Sequence, residues 1–221
     1  MPATTSGLRP PADTSRVRDT NPLLSILFFP RATIRHVVGT NADLHVAVLL
    51  TFTAFFNTLD RASGRSYGDR VSVWIIILGA MMLAPLAIPF TTLGAWFGEW
   101  AGSKFGGVGT REEVRAAYAW AGVPAVAYGF VFWPAQLALF GGEMFRSASP
   151  VMDASHPMLL IVIGVGALFA YFWSAVIGIQ VFAEVHQFSA WRSIGTAALM
   201  IAVVLVPFIA LLAIGIALTP R

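Results

Sequence analysis

Residues 193–218 read "SIGTAALMIAVVLVPFIALLAIGIAL". No Asp, Glu, Lys or Arg interrupts the stretch, and it exceeds the roughly 20 apolar residues that cross a bilayer as a helix. A run this long and this apolar on all sides is a membrane span, since a water-soluble helix needs a polar face. Working back along the chain, four more candidates precede it, near 157–183, 115–140, 71–97 and 44–59. The last of these is short. The loops between the five are brief, so one helical bundle is expected over 44–218, with no second domain and no repeat.

Composition agrees. Of 221 residues, 57% are hydrophobic and 11% are charged, against about 25% charged in an ordinary soluble domain. The fold class is all-α: a polytopic membrane bundle of five transmembrane helices with an N-terminal interfacial amphipathic helix. The roughly 10-residue alternating segments of a β-barrel are absent. The net charge of +3 comes from arginines spread between apolar segments, which marks loops at a membrane and not a nucleic-acid surface. With no cysteine, disulfides, thiolate metal sites and thiol nucleophiles are excluded.

Residues 1–20 are polar and rich in Pro, Ser and Thr, and a disordered tail without a signal-peptide core is expected there. Residues 21–43 follow as an interfacial segment. Asn21 is a good N-cap, Pro22 suits the first helical position, and Pro30 breaks or restarts the helix. Arg31 and Arg35 share one face, opposite Ile34, Val37 and Val38, which points the arginines at lipid headgroups. Counting Lys and Arg on the two sides gives nine against five. The N-terminus is therefore expected in the cytoplasm and the C-terminus outside, with Asp60 and Asp69 assigned to the first outer loop.

Gly94, Gly98, Gly102 and Gly106 recur every four residues and draw a stripe for close helix packing. The stripe serves either a neighbouring span or a homo-oligomer. Pro85, Pro89, Pro124, Pro134 and Pro207 fall inside spans. Such breaks serve transport in some proteins, but the span middles carry essentially no acid or base, which argues against a proton relay or ion pump.

The ionisable residues gather in two stretches of the cytoplasmic side, "GVGTREEVRAAYAWAGVP" at 107–124 and "FAEVHQFSAWRS" at 182–193. Thr110 and Glu113 form a T-x-x-E capping box that starts a helix, and Glu112 and Arg115 are spaced to pair. A weaker alternative has Glu112 or Glu113 joining Glu184 and His186 around a divalent metal, although no E-x-x-H or H-x-x-x-H spacing supports it. His36, His45 and His156 are isolated. No H-E-x-x-H or Walker loop occurs, so neither an enzyme nor a cofactor is expected.

The glycine-rich loop, the acidic-basic helix start and "AAYAWAGVP" resemble the Yip1 domain family of five-span membrane proteins. "NPLLSILFFPRATIRHVV" before the first span and "AEVHQFSAWRSIGTAAL" before the last add to the resemblance. By position it implies characteristic places at Gly106, Gly109, Glu113, Arg115, Ala117, Tyr118 and Pro124, with Glu184 and Ser189 later. It implies a cytosolic N-terminus and a scaffolding or trafficking-like role. The eukaryotic relatives' acidic, aromatic tail motif is missing, so Rab-type GTPase binding is not carried over. The expected protein is a short bacterial type in the inner membrane. It would bind lipids, and protein partners through Gly106, Gly109, Glu112, Glu113, Arg115, Tyr118, Pro124, Glu184 and His186. A small-solute transporter or channel is the alternative, and a divalent-metal-binding membrane protein is the second alternative.

Overall fold

A computed structural model describes Ser15, Val17, residues 19–155 and residues 157–218, with side chains to 212. Most of the tail expected at 1–20 lies outside the described residues, as do His156 and the last three positions. Val17, assigned to that tail, is buried.

The described chain is helical, with α1 at Pro22–Phe28, α2 at Pro30–Asn41, α3 at Val46–Gly64 and α4 at Val73–Leu83. After these come α5 at Ala87–Lys104, α6 at Arg111–Ala121, α7 at Val123–Phe140, α8 at Pro150–Asp153, α9 at Pro157–Val185 and α10 at Ala190–Leu218. Among the described residues, four helical segments are long and apolar enough to cross a membrane: Val73–Lys104, Arg111–Phe145, Pro157–Val185 and Ala190–Leu212. The fifth expected span, α3, is a 19-residue helix that carries Asn57, Asp60 and Arg61 near its end. It packs among α4, α5, α6 and α7. Asp60, assigned from the sequence to a loop, is therefore a helical residue.

Prolines set the breaks. Pro85 sits in a 3-10 turn at Ala84–Leu86 that joins α4 to α5 within one span. Pro124 follows Gly122, where α6 hands over to α7, because a proline cannot donate to the preceding turn. Pro134 and Pro207 are accommodated inside α7 and α10. At the N-terminus the Asn21 side chain accepts from the Leu23 N–H at 2.9 Å and starts α1. Phe29, which precedes Pro30, leaves the helical region with φ −127° and ψ 58°, as the proline ring requires.

Two buried clusters hold the bundle. One joins α1, α2, α3, α6 and α9 through Ile26, Ile34, Leu49, Trp120 and Ile177. The other joins α3, α4 and α7 through Phe56, Leu59, Ile76, Trp133 and Phe145. Ile26, Ile34 and Val37 are fully buried, so the helices expected to lie at the membrane interface are docked on the bundle, α2 on α9 and α6 and α1 on α2 and α7.

Candidate functional site: a histidine between two helix ends

Helices α5 and α9 finish side by side, each with its terminal carbonyls closed by a paired backbone motif. At the end of α5, Gly107 N–H donates to Gly102 O and Gly106 N–H donates to Ser103 O, both at 3.0 Å. At the end of α9, Phe188 N–H donates to Ala183 O at 3.0 Å and Gln187 N–H donates to Glu184 O at 3.1 Å. Both are Schellman caps, which need a left-handed residue past the last turn. Gly106 takes it with φ +78°, and Gln187 takes it with φ +57°. A non-glycine residue pays about 1–2 kcal/mol for that conformation, so the α9 turn is held by what packs around it.

His186 fills the space between the two caps and is fully buried. Its Nδ1 accepts from the Gly109 N–H at 3.2 Å, and its carbonyl accepts from the Val108 N–H at 3.3 Å. Phe188 stacks on the ring at 5.2 Å and 7°, and Phe182 lies at 4.5 Å. The opposite wall is glycine. A Cβ at Gly102 would come within 2.5 Å of Nε2, one at Gly107 within 2.5 Å of Nδ1, and one at Gly109 within 3.0 Å of Nδ1. Only a glycine loop lets the backbone approach an imidazole this closely. Nε2 has no hydrogen-bond partner among the described residues. Burial pushes the imidazole down to about 4, so the ring is neutral and Nδ1 is free of a proton to accept the Gly109 bond.

Beside His186, Glu184 is buried and faces α2. Arg35 Nε lies 3.2 Å from Glu184 Oε1, Arg35 Nη2 donates to the Glu184 carbonyl at 2.8 Å, and Arg31 Nη1 lies 3.6 Å from Oε2. Arg31 Nε also donates to Gln180 Oε1 at 2.6 Å. Arg31 and Arg35 are one turn apart, as are Gln180 and Glu184, so two helical faces meet in register. This alters the expectation that both arginines face headgroup phosphates. A carboxylate buried to this degree requires countercharge and hydrogen bonds; Arg35 and Arg31 both reach it, and Arg31 keeps part of its side chain, 18%, exposed.

The two charged stretches therefore converge, but through glycine and histidine. Glu113 is taken by the capping box: Thr110 N–H donates to Glu113 Oε2 at 3.0 Å and Glu113 N–H donates to Thr110 Oγ1 at 3.4 Å. Arg115 pairs with Asp43 and not with Glu112. Arg111 pairs with Glu99 at 3.5 Å, and Glu112 is exposed. No group of three His, Asp or Glu residues able to hold a metal occurs among the described residues. The alternative set Glu113, Glu184 and His186 is thus corrected, because each of the three is already committed to a different neighbour. In the glycine stripe, Gly98 lies against Tyr118 and Val114, Gly102 against His186, and Gly94 near Tyr118. The stripe is packed within the chain. Tyr118 stacks with Phe182 at 6.1 Å, and Pro124 is buried at the start of α7.

A family profile described as the Yip1 domain matches residues 24–211. The chain belongs to the Yip1 domain family. Comparison with curated proteins and with solved structures gives no match. The Yip1 match takes in most of α1, the His186 junction, the Glu184 cluster and most of α10.

Two features of this Yip1 domain escaped the sequence reading. Asp60 on α3 accepts from Trp133 Nε1 at 3.2 Å and from the Tyr171 hydroxyl, which also reaches Asn57 at 3.4 Å. This polar knot joins α3, α7 and α9 away from the histidine junction. Its signal was three polar or aromatic groups on different helices, which no spacing along the chain reveals. Second, Gly64-Arg65-Ser66-Tyr67-Gly68 spells the G-x-S-x-G pattern, and Ser66 has φ +52°. A nucleophile elbow needs a strand before the serine and a base beside it. Here α3 precedes it, and no hydrogen bond links Ser66 Oγ to a histidine or carboxylate among the described residues. The pentapeptide is a helix-ending loop.

Proposed function

We propose that this multi-pass Yip1-domain protein is non-enzymatic and works as a scaffold, organising the membrane or holding partners on the face that carries the His186 junction. That face lies in the cytoplasm of a bacterium, with the N-terminus on the same side. One observation carries the reading. The ionisable residues that chemistry would need, Glu113, Glu184 and His186, are spent on a cap, an inward clasp and a packed ring. The groups left outward on this face include Lys104, Val108, Arg111, Glu112, Trp191 and Arg192, with Trp191 80% exposed. A rigid base under exposed apolar and charged side chains suits recognition by a partner surface.

The absence of cysteine makes the test direct. Glu112→Cys is expected to react with a membrane-impermeant maleimide only after the inner membrane is opened, and labelling of intact spheroplasts from outside would sink the orientation. Reconstitution into liposomes then compares vesicle size and shape with and without Glu112→Ala and Trp191→Ala. If neither membrane shape nor cross-linking from position 112 changes, the scaffold reading fails.

A second reading is favoured by the Asp60 knot alone: a half-buried carboxylate among spans is a feature of solute paths. Flux across liposomes that disappears with Asp60→Asn would establish it in place of the scaffold.

A further inference from the structure

A continuous slot runs along α9 toward the Glu184 cluster. Its deeper part is a cavity of about 570 Å³ between α1, α7 and α9, walled by Leu27, Tyr128, Phe132, Gly166, Ala170 and Trp173. The second part, about 510 Å³, shares Leu27, Phe28 and Trp173 with the first and ends at Arg31 and Gln180. From Gly166 to Gln180 the slot follows α9 for about 21 Å at 1.5 Å per residue. That exceeds the roughly 15 Å of hydrocarbon in one leaflet, half of a core about 30 Å thick.

The deeper part has no polar handle to offer. The Tyr128 hydroxyl donates to the Ile163 carbonyl at 3.1 Å, and Trp173 Nε1 donates to the Leu27 carbonyl at 3.3 Å. Both polar tips are turned to backbone, so the rings present only their apolar faces. Tyr128 and Phe132 stack at 4.5 Å to form one wall. A polar solute would lose its hydrogen bonds to water in such a slot, whereas a hydrocarbon chain loses nothing. The other end is opposite in character. Arg31 lines it with a planar guanidinium suited to phosphate oxygens, its side chain 18% exposed.

We propose that this slot is a binding site for an anionic phospholipid, with one acyl chain between α1, α7 and α9 and the phosphate at Arg31 and Gln180. The site goes beyond scaffolding and depends only on the chain being in a membrane. It binds a lipid from the leaflet on the Glu184 side. Arg31 thereby serves twice, as a partner of Glu184 and as the rim of the slot.

The purified chain, offered equal amounts of phosphatidylglycerol and phosphatidylcholine with the same acyl chains, is read by native mass spectrometry. Phosphatidylglycerol is expected to be retained about five-fold over phosphatidylcholine, the preference that one basic residue gives an anionic lipid. Ala127→Trp, at an exposed position lining the slot, is expected to lower retention of both lipids about five-fold. Arg31→Gln is expected to equalise them. Millimolar inorganic phosphate is expected to displace neither lipid, since the chain provides most of the hold. Equal retention of the two lipids by the native chain, or unchanged retention in Ala127→Trp, would overturn the site. So would displacement by phosphate. If Arg31→Gln does not fold, Ala127→Trp decides alone, because it leaves the Glu184 cluster untouched.

Discussion

The Nδ1 of His186 accepts a hydrogen bond from the backbone N–H of Gly109 across 77 residues of chain. The bond ties the start of one span to the end of another and depends on glycine at three neighbouring positions. Gly107→Ala would drive a methyl group to 2.5 Å from the ring, and Gly102→Ala would bring one to 2.3 Å. Each is expected to cost about 1–3 kcal/mol, as overpacking does. Thermal unfolding in detergent should show both well below the native chain. Gly79→Ala, with nothing within 4 Å, should match or exceed it.

The buried imidazole also gives a pH signature. Its folded value, about 4, lies below the ordinary 6.5. Between those values the unfolded chain takes up a proton that the folded chain refuses. Stability is therefore expected to be flat in pH above about 6.5 and to fall on acidification toward 4, at up to about 1.4 kcal/mol per pH unit. Below 4 both states are protonated and this loss stops. Melting curves from pH 7.5 to 4.5 measure it, and His186→Gln should flatten the acid limb.

Glu184→Ala strands two arginines against the bundle. Removing one partner of a fully buried pair costs about 3–5 kcal/mol. Here the arginine side chains keep 18% and 24% exposure, so about 2–3 kcal/mol is expected after solvent screening. The sharper readout is local: limited proteolysis should cut within 20–41 in Glu184→Ala at protease levels that leave the native segment intact. Glu184→Gln should fall between.

Thr110→Ala removes the acceptor of the capping box at the start of α6. A loss of about 1 kcal/mol is expected. Glu113→Gln should be nearly neutral, because an amide can still reach back to the Thr110 N–H. Equal and large losses from both, measured by unfolding in detergent, would show that Glu113 has a further task.

Much of this architecture was legible in the sequence, for reasons that differ by element. The span at 190–212 and the cap at Thr110–Glu113 are local, set by an uninterrupted apolar run and by a three-residue spacing. The Asn21 cap and the Pro30 break are local as well. Arg31 and Arg35 were read correctly as sharing a face, but their target was not, because the carboxylate that attracts them lies on a distant helix. His186 reads from the sequence as a binding residue or a metal ligand, because what packs around it is equally distant in the chain. Its meaning rests on Gly102, Gly107 and Gly109, and glycine spacing alone does not say what fills the gap. Asp60 was misplaced because α3 continues past the apolar run, carried by Trp133 and Tyr171 from other spans.

The pairing of Arg35 with Glu184 also sets a clock. The two residues are 149 positions apart, and a ribosome adding about 5–20 residues per second needs on the order of 10 s to cover that distance. For that interval α1 and α2 exist without the carboxylate that will hold them, while earlier spans are already entering the bilayer. Their basic side chains meanwhile have the anionic membrane surface as a resting place, at about 1 kcal/mol each. The full docking of the first two helices thus waits for α9, and a chain halted before α9 would hold them by α6 and α7 alone.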